Sequence, residues 1–410
     1  MPARLMDRWW FIVPLAVFAV SRLVSGVMLA IGASRQIALE ATPVVDADFY
    51  KVAVATPASP GYLGVVSNWD GQWFRSIAEH GYPDSIPRVG GVIVPNEWAF
   101  SGGYPTVVRT VMRLGLDFPM AASVVSLSCF AVALVVLYGT VRSRMDDHAA
   151  TRMVLAISFF PTSPVFQVAY TEAMTLLLVV LALRALSGRR YAVFLLVAAV
   201  LAVTRPLMLP VAALCGVTWL VRWFRRHEED FPRRERLALA ATTVATLALA
   251  GLWPLIAAVG TGEAAAFTQS IASWRGNTEL GGPGVNWLTL SVVRPVTIGF
   301  LVVPLLVVAV FAARRRAVAA LPFPLRWWGP IYLVYMLAVT KPNAGILRYV
   351  LLSILPLAPL LGEKPQQGRA ATVAQWAMLG VLVVVGIVGQ YYWVTRVFTI
   401  DSANELQPWP

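Results

Sequence analysis

The stretch FPMAASVVSLSCFAVALVVLYGTV, residues 118–141, contains no charged side chain and is followed closely by Arg142 and Arg144. As a helix, a run of 24 residues outreaches the ~30 Å hydrocarbon core of a bilayer. No stripe of polar residues breaks it, so it has no face to turn toward water. Ten more apolar runs lie outside it, giving eleven candidate spans near 9–31, 118–141, 152–169, 170–187, 190–204, 206–223, 237–259, 292–313, 327–341, 346–361 and 371–393. The composition agrees: of 410 residues, 58% are hydrophobic and only 13% charged, against roughly 25% charged in a soluble domain. Too few charges are present to cover a water-facing exterior. The expected fold is therefore an all-α polytopic membrane protein with about 11 transmembrane helices, forming a single integral membrane domain over residues 1–410. Pro161, Pro164 and Arg205 interrupt the region 152–204, where two runs are short for a full crossing.

The arginines give the orientation. With a cytoplasmic N-terminus, the loops on that side hold 20 basic against eight acidic residues, so the whole net charge of +12 lies on one face. That asymmetry is the positive-inside rule. It also removes the nucleic-acid reading of a basic chain, because the clusters are short loops between spans with no nucleic-acid-binding motif. The first run carries Arg22 and lacks a small-residue cleavage pattern, so it reads as a retained helix and not a cleaved signal. Cys129 and Cys215 lie in apolar runs and build neither a disulfide framework nor a metal site. The protein is thus placed as an integral protein of the cytoplasmic (inner) membrane, its C-terminus outside.

Two long polar stretches then face outward, about 32–117 and about 260–291. The first is rich in Trp, Tyr, Gly and Pro and is expected to contain interfacial helices. Within it, SNWDGQWFRSIAEHGYP (67–83) reads as a short amphipathic helix on the outer surface, with Trp69, Trp73, Phe74 and Ile77 on one side and Gly81 as its stop. Asp70 at its start is placed to act as general base toward an acceptor hydroxyl. The same residues also read as a capping box, Ser67 at the N-cap and Asp70 three residues on.

The string WDGQWFRSIAEHGYP resembles the Trp-Asp, Ile-Ala, Gly-Tyr pattern of the family of the second mannosyltransferase of glycosylphosphatidylinositol-anchor synthesis and its bacterial relatives. Four further segments resemble that family in the same order: EWAFSGGYPTVVR (97–109), FFPTSPVFQVAYTEAM (159–174), TRP (204–206) and PNAGILRYVLLSILPL (342–357). One departure stands out, because the family's Phe-Phe-Pro is here Phe100-Ser101-Gly102-Gly103. The resemblance implies a GT-C superfamily glycosyltransferase that inverts at the anomeric carbon, using a polyprenyl-phosphate sugar as donor, and the first outer loop becomes the catalytic one.

Such a reaction needs a base and a cation for the leaving phosphate. Asp70 is the family-matched acid; Asp46 and Asp48, in VVDADFY, are alternative bases, or equally loop residues or a cation site. Arg348 leads for the donor phosphate, since an arginine at that depth needs an anionic partner. Arg205 follows and Lys341 is third; both arginines also read as structural ion pairs, for example Arg205 with Glu172. Trp69, His80, Tyr82, Glu97 and Glu172 complete the expected substrate-binding set. The segment SWRGNTELGGPG (273–284) offers Trp274 and Arg275 for stacking on a sugar. A singly charged phosphate can be neutralised by arginine, so no metal and no tightly bound cofactor is expected.

The function expected is transfer of mannose from polyprenyl-phosphate-mannose to a lipid-linked glycan, such as a phosphatidylinositol mannoside or lipoglycan, on the extracytoplasmic face. Its partners would be membrane lipids, the polyprenyl-phosphate-linked sugar donor and the lipid-linked glycan acceptor. Transfer of another polyprenyl-phosphate sugar, such as arabinofuranose, is an alternative. A lipid-linked sugar flippase or transporter is another, though it calls for inverted repeats around a midplane site.

Overall fold

The computed structural model describes residues 10–40, 54–274, 302–314, 318–340, 345–353, 369–399 and 401. In chain order its helices are α1 (Ile12–Arg35), α2 (Gly61–Val66), α3 (Asp70–His80), α4 (Gly103–Met112), α5 (Phe118–Arg142), α6 (Asp147–Ser158), α7 (Glu172–Ser187), α8 (Tyr191–Ala202), α9 (Met208–Phe224), α10 (Arg233–Leu249), α11 (Leu252–Thr261), α12 (Ala266–Trp274), α13 (Val302–Arg314), α14 (Phe323–Val339), α15 (Ile346–Val350) and α16 (Arg369–Trp393). A two-stranded antiparallel hairpin pairs Arg88 with Ile93 and Val89 with Val92. Asp46, Asp48, Lys341 and most of 273–284 lie outside the described residues.

Four stretches among the described residues are long and apolar enough to cross a membrane: Ile12–Arg35, Phe118–Arg142, Arg233–Thr261 and Trp376–Phe398. Tyr191–Ala202, Met208–Phe224 and Pro304–Arg314 are apolar but shorter. The molecule is thus a helical membrane protein, while the count of about 11 spans rests on the sequence alone. One expected span has a different form. The run 152–169 is helical only as far as Ser158, after which a turn and a 3-10 segment at Ser163–Gln167 lead to α7. Pro161 and Pro164 supply no N–H to a helical ladder, so the backbone leaves it.

That irregular stretch is held from within, as backbone at membrane depth must be. Arg22 of α1 donates from Nη1 to the Ser163 carbonyl (2.9 Å), and from Nη2 to the Ser158 carbonyl (3.1 Å) and to Ser163 Oγ. Its guanidinium also lies over the Phe130 ring at 4.7 Å. The Ser126 hydroxyl of α5 donates to the Val168 carbonyl at 2.9 Å. On the other side α16 approaches so closely that a Cβ at Gly386 would sit 1.7 Å from the Phe159 carbonyl oxygen. The core forms where α5 packs on α1, α4, α6 and α7. Ala121, Ala122 and Ala133 are buried on α5, and Phe130 stacks on Phe166 at 4.3 Å.

The first loop differs from expectation in how its helix begins and what it covers. Ser67 closes α2 as its C-terminal cap, and α3 starts at Asp70 after Trp69, whose side chain makes no capping bond. No capping box forms. The apolar face of α3 packs on protein: Phe74 meets Tyr104 edge-on at 5.4 Å, and Trp73 meets Trp274 at 4.9 Å. Gly81 does end the helix, at φ 91°, a conformation that favours glycine.

Candidate active site

Four charged side chains from four distant parts of the chain converge. Asp70 is the first residue of α3, and Glu172 is the first of α7, directly after the irregular stretch that Arg22 ties down. Arg205 lies in the short link between α8 and α9, where Pro206 disfavours a helical conformation at the arginine. Arg348 sits on α15.

Arg348 is the hub. Its Nη2 donates to Asp70 Oδ2 at 2.6 Å and to the Tyr349 hydroxyl at 3.1 Å, while Nη1 lies 3.3 Å from Glu172 Oε1. Arg205 Nη1 reaches the same Glu172 oxygen at 2.9 Å and donates to Thr171 Oγ1 at 3.0 Å. Both guanidiniums lie over the Tyr349 ring, at 4.9 Å for Arg205 and 4.8 Å for Arg348, and Arg348 also lies over Tyr170 at 4.8 Å. These contacts stack planar cations on aromatic faces in a desolvated setting, where the attraction is strongest. The side chains differ in exposure: Glu172 is 1% exposed, Arg348 7%, Arg205 14% and Asp70 28%. Two cations and two carboxylates make the cluster formally neutral, and Asp70 is its most open member.

Local backbone geometry aims Asp70 at this cluster. Trp69 adopts φ 55° and ψ −117°, an unusual conformation for a bulky residue and one that stores strain. Its indole N–H donates to the Phe398 carbonyl at 2.7 Å. At Gly71 an added Cβ would lie 3.3 Å from the Ala169 side chain, and the Ala169 N–H donates to the Val66 carbonyl at 3.0 Å, so the start of α3 packs tightly on the turn that leads to Tyr170 and Glu172.

The family-divergent segment 100–105 has a visible task. A Cβ at Gly103 would lie 2.7 Å from Thr204 Oγ1 and 2.8 Å from the Val203 carbonyl oxygen, and the Gly103 N–H donates to that carbonyl at 2.6 Å. Glycine at 103 therefore lets α4 seat on the link that carries Arg205. Sequence reading missed this, although the Gly102-Gly103 pair was in view. It also passed over Thr171 and Tyr349, each adjacent to a charged residue it had named, and Tyr170, two positions before Glu172.

The remaining sequence candidates lie elsewhere. His80 is exposed at the far end of α3, ten residues beyond Asp70, roughly 15 Å along the helix. Tyr82 stacks on Trp98 at 4.4 Å, packs against Trp253 at 5.4 Å and donates to the Phe100 carbonyl at 2.9 Å. Burial pushes its phenol well above the ordinary range, and the charge of Glu97 adds to this. Glu97 accepts from the Ser76 hydroxyl at 2.9 Å. Among the described residues, none of these three makes a hydrogen bond or ion pair with the charged cluster. Trp274 closes an aromatic wall with Trp73 and Phe100. Among the described residues no three His, Cys, Asp or Glu side chains group as a metal site.

The backbone places this arrangement among known structures. It shares its fold with an archaeal oligosaccharyltransferase. The Archaeoglobus fulgidus enzyme AglB, solved in complex with an inhibitory peptide and a dolichol-phosphate, superposes with a TM-score of 0.55 at 11% identity, over 97% of this chain and 57% of that one. The apo form of the oligosaccharyltransferase from the same organism gives 0.51 at 11% identity over 95% and 57%, and the form tethered to an acceptor peptide gives 0.51 at 12% over 97% and 56%. This chain therefore spans a little over half the length of those proteins. At this identity the likeness is one of fold, and it does not test the resemblance to the glycosylphosphatidylinositol mannosyltransferase family. No family model matches the sequence, and no curated protein matches it.

Proposed function

We propose that this chain is an inverting glycosyltransferase that moves mannose from polyprenyl-phosphate-mannose to a lipid-linked glycan, such as a phosphatidylinositol mannoside or lipoglycan, at the outer face of the cytoplasmic membrane. The observation that carries the reading is the contact between Arg348 and Asp70 at 2.6 Å, which puts a phosphate-sized cation beside the most open carboxylate of the cluster. The GT-C fold and the ordered family-like segments support it.

In the proposed step Asp70 accepts the proton of the acceptor hydroxyl as its oxygen forms the new bond to the anomeric carbon. The bond from that carbon to the phosphate oxygen breaks, and the electron pair leaves with the polyprenyl phosphate. Arg348 neutralises that charge, with Arg205 behind it. Glu172 holds both guanidiniums, and Tyr170 and Tyr349 fix their planes. Attack opposite the leaving phosphate inverts the anomeric centre. Charge development in a water-poor site favours such preset cations.

The test is transfer of radiolabelled mannose from polyprenyl-phosphate-mannose to membrane lipids by the purified full-length protein. Wild type should transfer, and Asp70→Asn, folded by size-exclusion profile, should fall by at least about 100-fold, as loss of a general base predicts. Equal transfer by both proteins removes Asp70 from the chemistry and returns the base to Asp46 or Asp48. No transfer by wild type refutes the mannosyl donor.

A further inference from the structure

We infer that Asp70 and the donor's phosphate compete for Arg348, so that the empty site keeps its base in an ion pair and releases it only when the phosphate arrives. This rests on the glycosyltransferase reading and adds an order of events to it.

The argument is one of occupancy. Arg348 spends Nη2 on Asp70 and Tyr349 and Nη1 on Glu172, and its side chain is 7% exposed. Of the two N–H donors left over, Nε is buried without a hydrogen-bond partner. With so little of the guanidinium exposed and a carboxylate already on each terminal nitrogen, an incoming phosphate gains close contact by displacing a partner. Glu172 is the poorer choice, being 1% exposed and anchored also by Arg205 at 2.9 Å. Asp70 is 28% exposed, and Arg348 is its carboxylate's sole hydrogen-bond or ion-pair partner among the described residues.

Charge points the same way. The four groups sum to zero, so adding a phosphate anion beside them is favourable only if a carboxylate withdraws from Arg348. A carboxylate relieved of its cation also binds a proton more readily. The exchange thus ties the base to the presence of a donor: phosphate first, acceptor deprotonation second. The strained Trp69 peptide just before Asp70 is the place where a change of backbone geometry would relieve strain as the carboxylate leaves.

Binding of farnesyl phosphate, a short polyprenyl phosphate, to the purified full-length protein by microscale thermophoresis tests the exchange, with farnesol as the uncharged control. Asp70→Asn removes the competing charge while Glu172 still neutralises Arg348, so the variant should bind farnesyl phosphate about tenfold or more tightly than wild type and farnesol equally well. Asp70→Ser, smaller and unable to mimic a carboxylate, repeats the test should the Asn variant not be recovered folded. Unchanged or weaker binding by the folded variant overturns the exchange, and an equal gain for farnesol does so too by showing that space and not charge was released. Tighter binding with normal transfer upholds the exchange while refuting Asp70 as base; lost transfer without tighter binding does the reverse.

Discussion

The Glu172 carboxylate is a severe test of how the cluster is held together. One oxygen of Glu172 lies 2.9 Å from Arg205 and 3.3 Å from Arg348 in a side chain only 1% exposed. Changing Glu172 to Gln keeps the shape and removes the charge. Arg348 would retain Asp70, but Arg205 would be left with a neutral Thr171 hydroxyl and the Tyr349 ring. Breaking a buried ion pair from one side costs about 3–5 kcal/mol, because an uncompensated charge stays buried. Partial exposure of Arg205 and its aromatic contact bring the figure to the lower end of that range, so the expected loss is about 3 kcal/mol. The assay is reversible unfolding in mixed micelles titrated with sodium dodecyl sulfate, read by far-ultraviolet circular dichroism. A variant within about 0.5 kcal/mol of wild type would refute the idea that Glu172 neutralises both arginines, since a solvated pair would lose no more than that.

The other predictions concern the frame around the site. Arg22→Met should cost about 2 kcal/mol in the same titration, because the Ser163 and Ser158 carbonyls lose a buried donor; unchanged stability would mean that the turn holds itself. Gly103→Ala places a Cβ against Val203 and Thr204, and should cost about 1–3 kcal/mol and lower transfer by moving the link that carries Arg205; a neutral result would show that α4 does not brace that link. At the start of α10, Glu235 pairs with Arg222 and, at 3.2 Å, with Arg189. Partial burial works against its charge, but the Arg222 hydrogen bond and the two guanidiniums hold its carboxyl below the usual range. Its folded value being depressed, the stabilisation is present above the unfolded glutamate value near pH 4.3 and is lost as pH falls through the folded value. Glu235→Gln should accordingly be less stable than wild type at pH 7, and the gap should shrink with acidification; a gap independent of pH would show that the charge is not what matters.

What could be read from sequence divides by the kind of physics involved. Apolar length alone marked 118–141, and α5 covers it, because the cost of exposing backbone in hydrocarbon turns such a run into a helix whatever its neighbours do. The same signal failed at 152–169, where hydropathy records what side chains cost and says nothing of where backbone hydrogen bonds go. There Arg22, from more than 130 residues away, supplies the donors that let the chain leave the helix. Ser67 and Asp70 spell a capping box by spacing, yet Trp69 at φ 55° turns the chain between them; a local motif cannot register that the segment after it is already committed to packing on Ala169.

Charge behaved differently from hydropathy in being legible over long range. Glu172, Arg205 and Arg348 stood out because an ionised group at membrane depth is too costly to keep without a partner, whereas Asp70 stood out as the family-matched acid at a helix start. Two such arginines and a deep acid imply one another, even though 278 residues separate Asp70 from Arg348. What the sequence lacked was the sharing: nothing in it says that one carboxylate oxygen serves two guanidiniums or that two tyrosine rings stack against them. His80, Tyr82 and Glu97 were drawn in by closeness along the chain, and α3 carries His80 away while the aromatic cluster takes Tyr82. Burial cost thus picked out residues that meet, where neighbourhood in sequence picked out residues that do not. The fully buried member, Glu172, pairs with both cations, and the partly open one, Asp70, has the freedom that the proposed role of base requires.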